Sequence, residues 1–307
     1  MATNEDNYIR FDWAMKRLLR NKANYVVLEG FLSSLLEKKF KILRFLESEN
    51  NQEYGDDKYK RANVLVEGED GQLCIIEVQN CHEITYYHRM RYGASKVITE
   101  YIGLGKPYEA VRKVYSINIV YFELGQGKDY VYHGKTEFVG EHEPHDTLKL
   151  SIRQNEKFFG IKDDNLELRK SPGDLFPEYY ILRVNDFDKV ATTPLDEWIE
   201  FLKTGSISSK ATAAGLPEAR ERLRVDSLSQ KDKQAYYRHL EAVRHMKSLF
   251  DTSRDEGYQE GIIKGEAKGR VEEKKEIALN LLAYNTPIDI IAKSTGLSIE
   301  EIKKLKS

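Results

Sequence analysis

The sequence predicts an α/β fold: a mixed sheet flanked by helices, with a helical C-terminal extension. Three observations carry this. Residues 61–79 read as two strands joined by a turn. Helical periodicity stands on both sides of that pair, and a further apolar strand follows, so the order is helix, strand, hairpin, helix, strand. Beyond residue 250 the spacing of apolar and glycine residues is helical alone.

The elements follow in order. Residues 10–38 have helical apolar spacing, interrupted at Asn21–Asn24. Lys41–Ser48 reads as a strand and the polar stretch Glu49–Lys60 as a mobile loop. Arg61–Val66 and Gln72–Gln79 form the hairpin, because Asp70-Gly71 between them is a strong turn signal. Ile84–Leu104 is a long amphipathic helix ending at Gly103 and Gly105, with Pro107 beyond. Lys113–Leu124 is the most apolar strand. Shorter strands are expected at Tyr130–His133, Glu137–Val139, Leu148–Arg153 and Tyr179–Val184. Helices are expected at Pro194–Lys203, Pro217–Arg224 and Lys231–Phe250.

The hairpin carries the chemistry. Its second strand is apolar until Glu77 and Gln79. A buried carboxylate is costly unless it is paired or holds a metal. Two registers are open. A three-residue loop, Glu69-Asp70-Gly71, places Asn63 opposite Glu77, and the period of two puts Asn63, Glu77 and Gln79 on one face. Facing side chains then start about 4.5–5.5 Å apart at Cβ, close enough to share one cation. A two-residue loop, Asp70-Gly71, places Val64 opposite Glu77 and turns Asn63 away.

Asn63 with Glu77-Val78-Gln79 resembles the core of PD-(D/E)XK nucleases, in the branch of recombination-promoting nucleases and transposase-like proteins. That branch has an Asp early in the first strand and Glu-x-Gln in the second. Glu77-Val78-Gln79 matches the second part, and Asn63 stands at the Asp position. The resemblance covers roughly residues 8–125 and implies a restriction-endonuclease-like fold. It implies a metal-dependent DNA endonuclease that hydrolyses phosphodiesters with magnesium, or with manganese as an alternative. The implied ligands are Asn63, Glu77 and the carbonyl of Val78, with Gln79 positioning the attacking water or the substrate. The branch also has an Asp followed by a Lys in the first helix, here Asp12 and Lys16. Asp12 would complete the site; the alternative is an acid at a helix start complementing the dipole. Glu29 is a second candidate acid, or part of a solvated helix face. On the helix after the hairpin, His88, Arg91, Tyr92 and Ser95 share helical spacing, and Arg89, Arg91 and Lys96, with His88, are candidate DNA contacts. Asn63 reads as a weakened ligand, a relic of lost activity or an introduced change.

Composition sets bounds. The 307 residues allow one large domain with an appendage, or two domains. The division expected is a nuclease-like domain with additional strands over 1–205, a helical segment over 206–250, and a glycine-striped helix with a small helical module over 251–307. Lys and Arg (48) nearly balance Asp and Glu (50), so any DNA-binding surface must be local. There is no phosphate-binding Gly-rich loop, zinc spacing or nucleophile elbow. Two cysteines, Cys74 and Cys81, are too few for a disulfide framework, and no run is apolar enough for a membrane span; no signal peptide is expected, and the setting expected is cytoplasmic.

In the extension, Gly257, Gly261, Gly265 and Gly269 recur every fourth residue. Each interior glycine costs a helix about 1 kcal/mol relative to Ala. The segment is either a helix closely packed by another, which would make residues 251–307 a route to self-association, or a flexible, partly helical linker. A helix over Val271–Tyr284 and two short helices follow, the second pair joined by a turn at Ser294–Leu297, with a capping box at Ser298 and Glu301. The pair resembles a helix-turn-helix, and Lys303, Lys304 and Lys306 lie on its second helix, but Glu300 and Glu301 stand where bases and phosphates would be met. A small packing module is the alternative. Two functions therefore stand: a DNA endonuclease weakened at Asn63, and a non-catalytic nucleic-acid-binding or self-associating protein on the same fold.

Overall fold

The computed structural model describes residues 8–46, 61–102, 106–162, 165 and 169–305. The expected loop at 49–60, the glycines at 103 and 105, and Lys306 lie outside these residues. The chain divides into two compact units, Met1–Met246 and Lys247–Ser307.

The first unit is built on a six-stranded sheet of order β1-β2-β3-β4-β6-β5. Its strands are β1 Ile42–Leu46, β2 Arg61–Gly68, β3 Leu73–Gln79, β4 Val114–Val120, β5 Val131–Gly134 and β6 Glu178–Arg183. Strands β1, β2 and β3 pair antiparallel, β3, β4 and β6 run parallel, and β5 returns antiparallel to β6. The sheet is mixed, as the sequence predicts.

The register of β2 and β3 is set by the turn: a two-residue type I′ loop would need Asp70 as well as Gly71 at positive φ, and only Gly71 is. Gly71 has φ +77°, a conformation that costs glycine nothing and other residues dearly. The Gly71 amide donates to the Gly68 carbonyl at 2.9 Å and the Gly68 amide to the Gln72 carbonyl at 2.8 Å. The loop is thus Glu69-Asp70-Gly71, and Asn63 pairs with Glu77.

The two faces of the sheet differ. Val64, Val66, Cys74, Ile76, Val78, Ile117 and Ile119 join the main core with residues of helices α1 Phe11–Arg17 and α2 Tyr25–Leu36. Between these helices Asn21 caps a short 3-10 turn by accepting from the Ala23 amide at 3.0 Å. The opposite face, with Leu65, Leu73 and Val114, is covered by Ala94 and Val97 of helix α3 Tyr86–Tyr101. Cys74 is buried in the core, and burial pushes its thiol pKa up.

Two strand expectations fail. At Glu137–Val139 the structure has a single bridge, Val139 to Thr147. Leu148–Arg153 is interrupted by helix α4 Ile152–Phe159. Ser151 and Gln154 form a capping box there, each side chain closing on the other's backbone, and this local bonding outweighs the β-branched residue in the stretch.

Helices α5 Pro194–Thr204 and α6 Leu216–Arg222 add Trp198, Ile199, Phe201, Leu216 and Ala219 to the main core. Helix α2 and the loop before α6 approach at two glycines. A Cβ on Gly30 would overlap the Ala214 carbonyl and lie 2.6 Å from the Gly215 Cα. Tyr236, from the first turns of helix α7 Gln230–Ala283, also enters this core.

In the second unit, α8 Ile288–Thr295 and α9 Ile299–Leu305 pack Ile291, Leu297 and Ile302 around Ala278 of α7. The Ser298–Glu301 capping box is present, the Ser298 amide donating to Glu301 at 2.8 Å. The glycine segment is helical throughout. Among the described residues, nothing lies within 4 Å of a Cβ placed on Gly257, Gly261, Gly265 or Gly269.

Candidate functional site

Neighbouring strands place three polar residues in one row on the α3 face of the sheet. Asn63 on β2 stands opposite Glu77 on β3, which stands beside Asn118 on β4. Glu77 and Asn118 are buried. The row ends in a pocket of about 240 Å³ lined by Asn63, Glu77, Glu83, Arg89 and Tyr92 among others.

Helix phase determines which side chains of α3 reach this pocket. Tyr86, Met90, Ala94 and Val97 are buried at helical spacing. Arg89, flanking that stripe, turns inward: its Nε lies 2.9 Å from Glu77 Oε1 and its Nη1 2.8 Å from Glu83 Oε2. The first contact is an ion pair by distance without hydrogen-bond alignment. His88 and Arg91 are exposed and line no part of this pocket, and Lys96 pairs with Glu100 at 3.4 Å. Arg89 is thus the one of the four candidate DNA contacts that the fold brings to Glu77.

Two amide oxygens are left without donors. Asn63 Oδ1 and Gln79 Oε1 are buried and accept no hydrogen bond among the described residues. Buried acceptors without partners are uncommon and mark sites where something else is met. Gln79 directs its Nε2 to the Cys81 carbonyl at 3.1 Å. Val78 turns its side chain into the opposite core and pairs with Ala62 and Ile119 within the sheet.

Asn118 and Tyr86 belong to the same site, and sequence reading did not single them out. The Tyr86 hydroxyl donates to Asn118 Oδ1 at 3.2 Å, and Asn118 Nδ2 donates to Ser116 and to the Tyr180 carbonyl. Burial, then the nearby Glu77 charge, push the Tyr86 pKa well above its ordinary value. An Asn inside the most apolar strand was the signal available in the sequence.

The two first-helix acids lie elsewhere. Asp12 is buried in a cluster of its own, and the structure does not bring it into the Glu77 pocket. It accepts from the Trp13 amide at 2.9 Å, Arg10 Nε at 3.2 Å and Asn80 Nδ2 at 3.0 Å, and lies 3.1 Å from His239 Nε2. Arg10 also donates to Asn80 Oδ1 at 2.8 Å. Burial alone would raise the Asp12 pKa; the Arg10 charge and the His239 and Asn80 contacts overcome it and hold the carboxyl well below its usual range. Glu29 pairs with Lys41 at 2.5 Å and accepts from the Ile42 amide at 3.0 Å, fixing the start of β1.

A divalent ion sets a clear test for these residues. Magnesium takes oxygen ligands, chiefly carboxylates and waters. Glu77 and Asn63 Oδ1 offer oxygens on facing strands, but Asn63 is neutral and the Glu77 charge is met by Arg89. Among the described residues no three His, Cys, Asp or Glu side chains gather as a metal-binding group. The site thus offers one charged oxygen ligand, Glu77, and a neutral one, Asn63, where two carboxylates would hold a divalent ion more firmly.

Residues 9–155 match the family model described as PD-(D/E)XK nuclease family transposase, the superfamily that the hairpin resembles. The matched span holds β1 to β5, helices α1 to α3 and the whole Asn63–Glu77 pocket. No curated relative and no solved structure matches the chain.

Proposed function

We propose that this chain is a DNA-binding protein on the nuclease fold, whose metal-dependent cleavage is disabled at one ligand, Asn63. The observation that carries the reading is the pairing of Asn63 with Glu77 across β2 and β3, at the position where the family's chemistry uses two carboxylates. With a neutral amide at 63, Arg89 is shared between Glu77 and Glu83, which leaves the pocket one negative charge where the family's two strand carboxylates would leave more. DNA contact would rest on phosphates, with little sequence preference. Arg91 and His88 are exposed on α3, and Arg89 lines the pocket itself, so all three could meet phosphate. On this reading the chain would still approach a phosphodiester but would lack the second carboxylate that supports its hydrolysis.

The experiment is nicking of supercoiled plasmid with magnesium or manganese by the chain, by Asn63→Asp and by Glu77→Ala. Duplex binding is followed in parallel by fluorescence anisotropy at several salt concentrations. The expected result is salt-sensitive binding by all three proteins and cleavage by Asn63→Asp alone. Metal-dependent cleavage by the unaltered chain that vanishes in Glu77→Ala would overturn the disabled-site reading and make it an active endonuclease. Absence of duplex binding at low salt would remove DNA as the partner.

A further inference from the structure

A second cavity lies at the other end of the sheet from Glu77. It has a volume of about 1010 Å³, the upper range of small-molecule sites. It opens where β3, β4 and β6 begin, between Gln72, Tyr115 and Glu178 on the sheet side and Tyr108 and Phe158 on the other. Gln72 and Glu77 are separated by roughly 16 Å of strand at about 3.3 Å per residue. The two sites are therefore distinct.

The cations of this cavity are unequally matched. Lys113 is met by Glu178 at 2.7 Å and Lys157 by Glu109 at 2.6 Å, while Arg112 is met by Glu67. Lys38 is different. Its ammonium donates to two neutral groups, Gln72 Oε1 at 2.8 Å and the Tyr115 hydroxyl at 3.0 Å, and lies 4.8 Å from the centre of the Tyr115 ring. No carboxylate lies within ion-pair distance of Lys38 among the described residues. An ammonium has three protons to donate, so one remains for a ligand. Burial pulls the Lys38 pKa down, and the more distant charges of Asp70 and Glu178 offset this only in part. Lys170, also on the cavity wall, is exposed and meets no carboxylate within ion-pair distance among the described residues.

Aromatic surface stands beside these cations. Tyr108 is 91% exposed at the rim and Phe158 is partly exposed. A large exposed aromatic beside a cavity offers a face on which a planar ring can stack. A site with two cations that meet no carboxylate among the described residues, Lys38 and Lys170, and with aromatic faces suits a planar ring carrying one anionic group. Asp70 and Asp174 also border the cavity and would repel a long polyanion.

We infer that this cavity is a binding site for a nucleoside monophosphate, with the phosphate against Lys38 and Lys170 and the base against Tyr108 and Phe158. Isothermal titration of the full chain with AMP, GMP, CMP and UMP tests it, with inorganic phosphate and the matching nucleoside alone as probes of each half. At least one nucleotide should bind with Kd below about 1 mM, more tightly than phosphate or nucleoside alone. Lys38→Met, which keeps the aliphatic stem on Tyr115, should weaken it at least about tenfold. Tyr108→Ala alters only a rim residue, and should also weaken binding; it decides the matter if Lys38→Met fails to fold by circular dichroism. No binding of any of the four at about 1 mM, or affinity unchanged in both folded variants, overturns the inference. A single-stranded oligonucleotide that binds this site more tightly than the mononucleotide, with the same loss in Tyr108→Ala, also overturns it in favour of nucleic acid.

Discussion

The Asp12 cluster supplies the sharpest stability test. Asp12→Ala removes a buried carboxylate that holds the Trp13 amide, Arg10, Asn80 and His239 together. The Arg10 side chain is 30% exposed and His239 only 6%. Breaking a buried ion pair costs about 3–5 kcal/mol, since the other charge stays behind without its partner. Arg10 can partly rehydrate, so the lower end, about 3 kcal/mol, is expected. The assay is urea unfolding followed by tryptophan fluorescence. Trp13 and Trp198 are the two tryptophans of the chain and both are buried in the first unit, so the signal reads that unit. With a urea slope of about 3 kcal/mol/M the midpoint should fall by about 1 M. A shift below about 0.3 M would refute the view that this cluster holds helix α7 and the end of β3 to the core.

The same cluster predicts a pH dependence with a definite sign. A carboxyl whose folded pKa is lowered contributes stability that is present above its unfolded pKa, about 3.9, and is lost as pH falls toward the folded value. The folded Asp12 pKa lies well below its ordinary range. Unfolding free energy of the unaltered chain should therefore decline below about pH 4. In Asp12→Asn that part of the decline should be absent. Parallel acid curves for the two proteins would show the idea to be wrong.

Three further perturbations test the packing. Gly30→Ala places a methyl against the Ala214 carbonyl and the Gly215 Cα, backbone atoms that cannot rotate away; a loss of about 1–3 kcal/mol or more is expected in urea melts, and a neutral result would mean α2 does not approach that loop so closely. Thr193→Ala removes the capping box of α5, in which the Asp196 amide donates to Thr193 Oγ1 at 3.1 Å; the expected cost is about 0.5–2 kcal/mol, and an unchanged midpoint would deny the cap. Replacing Gly257, Gly261, Gly265 and Gly269 together by Ala meets nothing within 4 Å among the described residues, so helix content should hold to higher temperature, at about 1 kcal/mol per site; if light scattering instead shows an assembly that the four alanines dissociate, the stripe is a contact between copies.

The sequence determined by itself what depends on near neighbours. The alternation of 61–79, the Asp70-Gly71 turn and the helical spacing on either side sufficed for the mixed sheet and its flanking helices. Glu77 and Gln79 stood out because polar residues interrupt an apolar run. Local bonding is also legible in part: the Ser298–Glu301 box stands out in the sequence, while the equivalent Ser151–Gln154 pair is hidden in a stretch whose apolar spacing suggests a strand.

Tertiary structure decided everything that depends on which face or which distant residue is met. Two hairpin registers are open from the sequence, and the closing bond from the Gly68 amide to the Gln72 carbonyl fixes the one that sets Asn63 against Glu77. The phase of α3 against the sheet turned Arg89 to Glu77 and left His88 and Arg91 outside, although all three lie within four positions. Asp12 is the clearest case. Its partner His239 is 227 residues away, so a first-helix acid that matches a family motif became the centre of a buried cluster with Arg10 and Asn80. Spacing along a chain reports on one element at a time; the charge environment of a side chain is set by elements that meet only when the chain closes on itself.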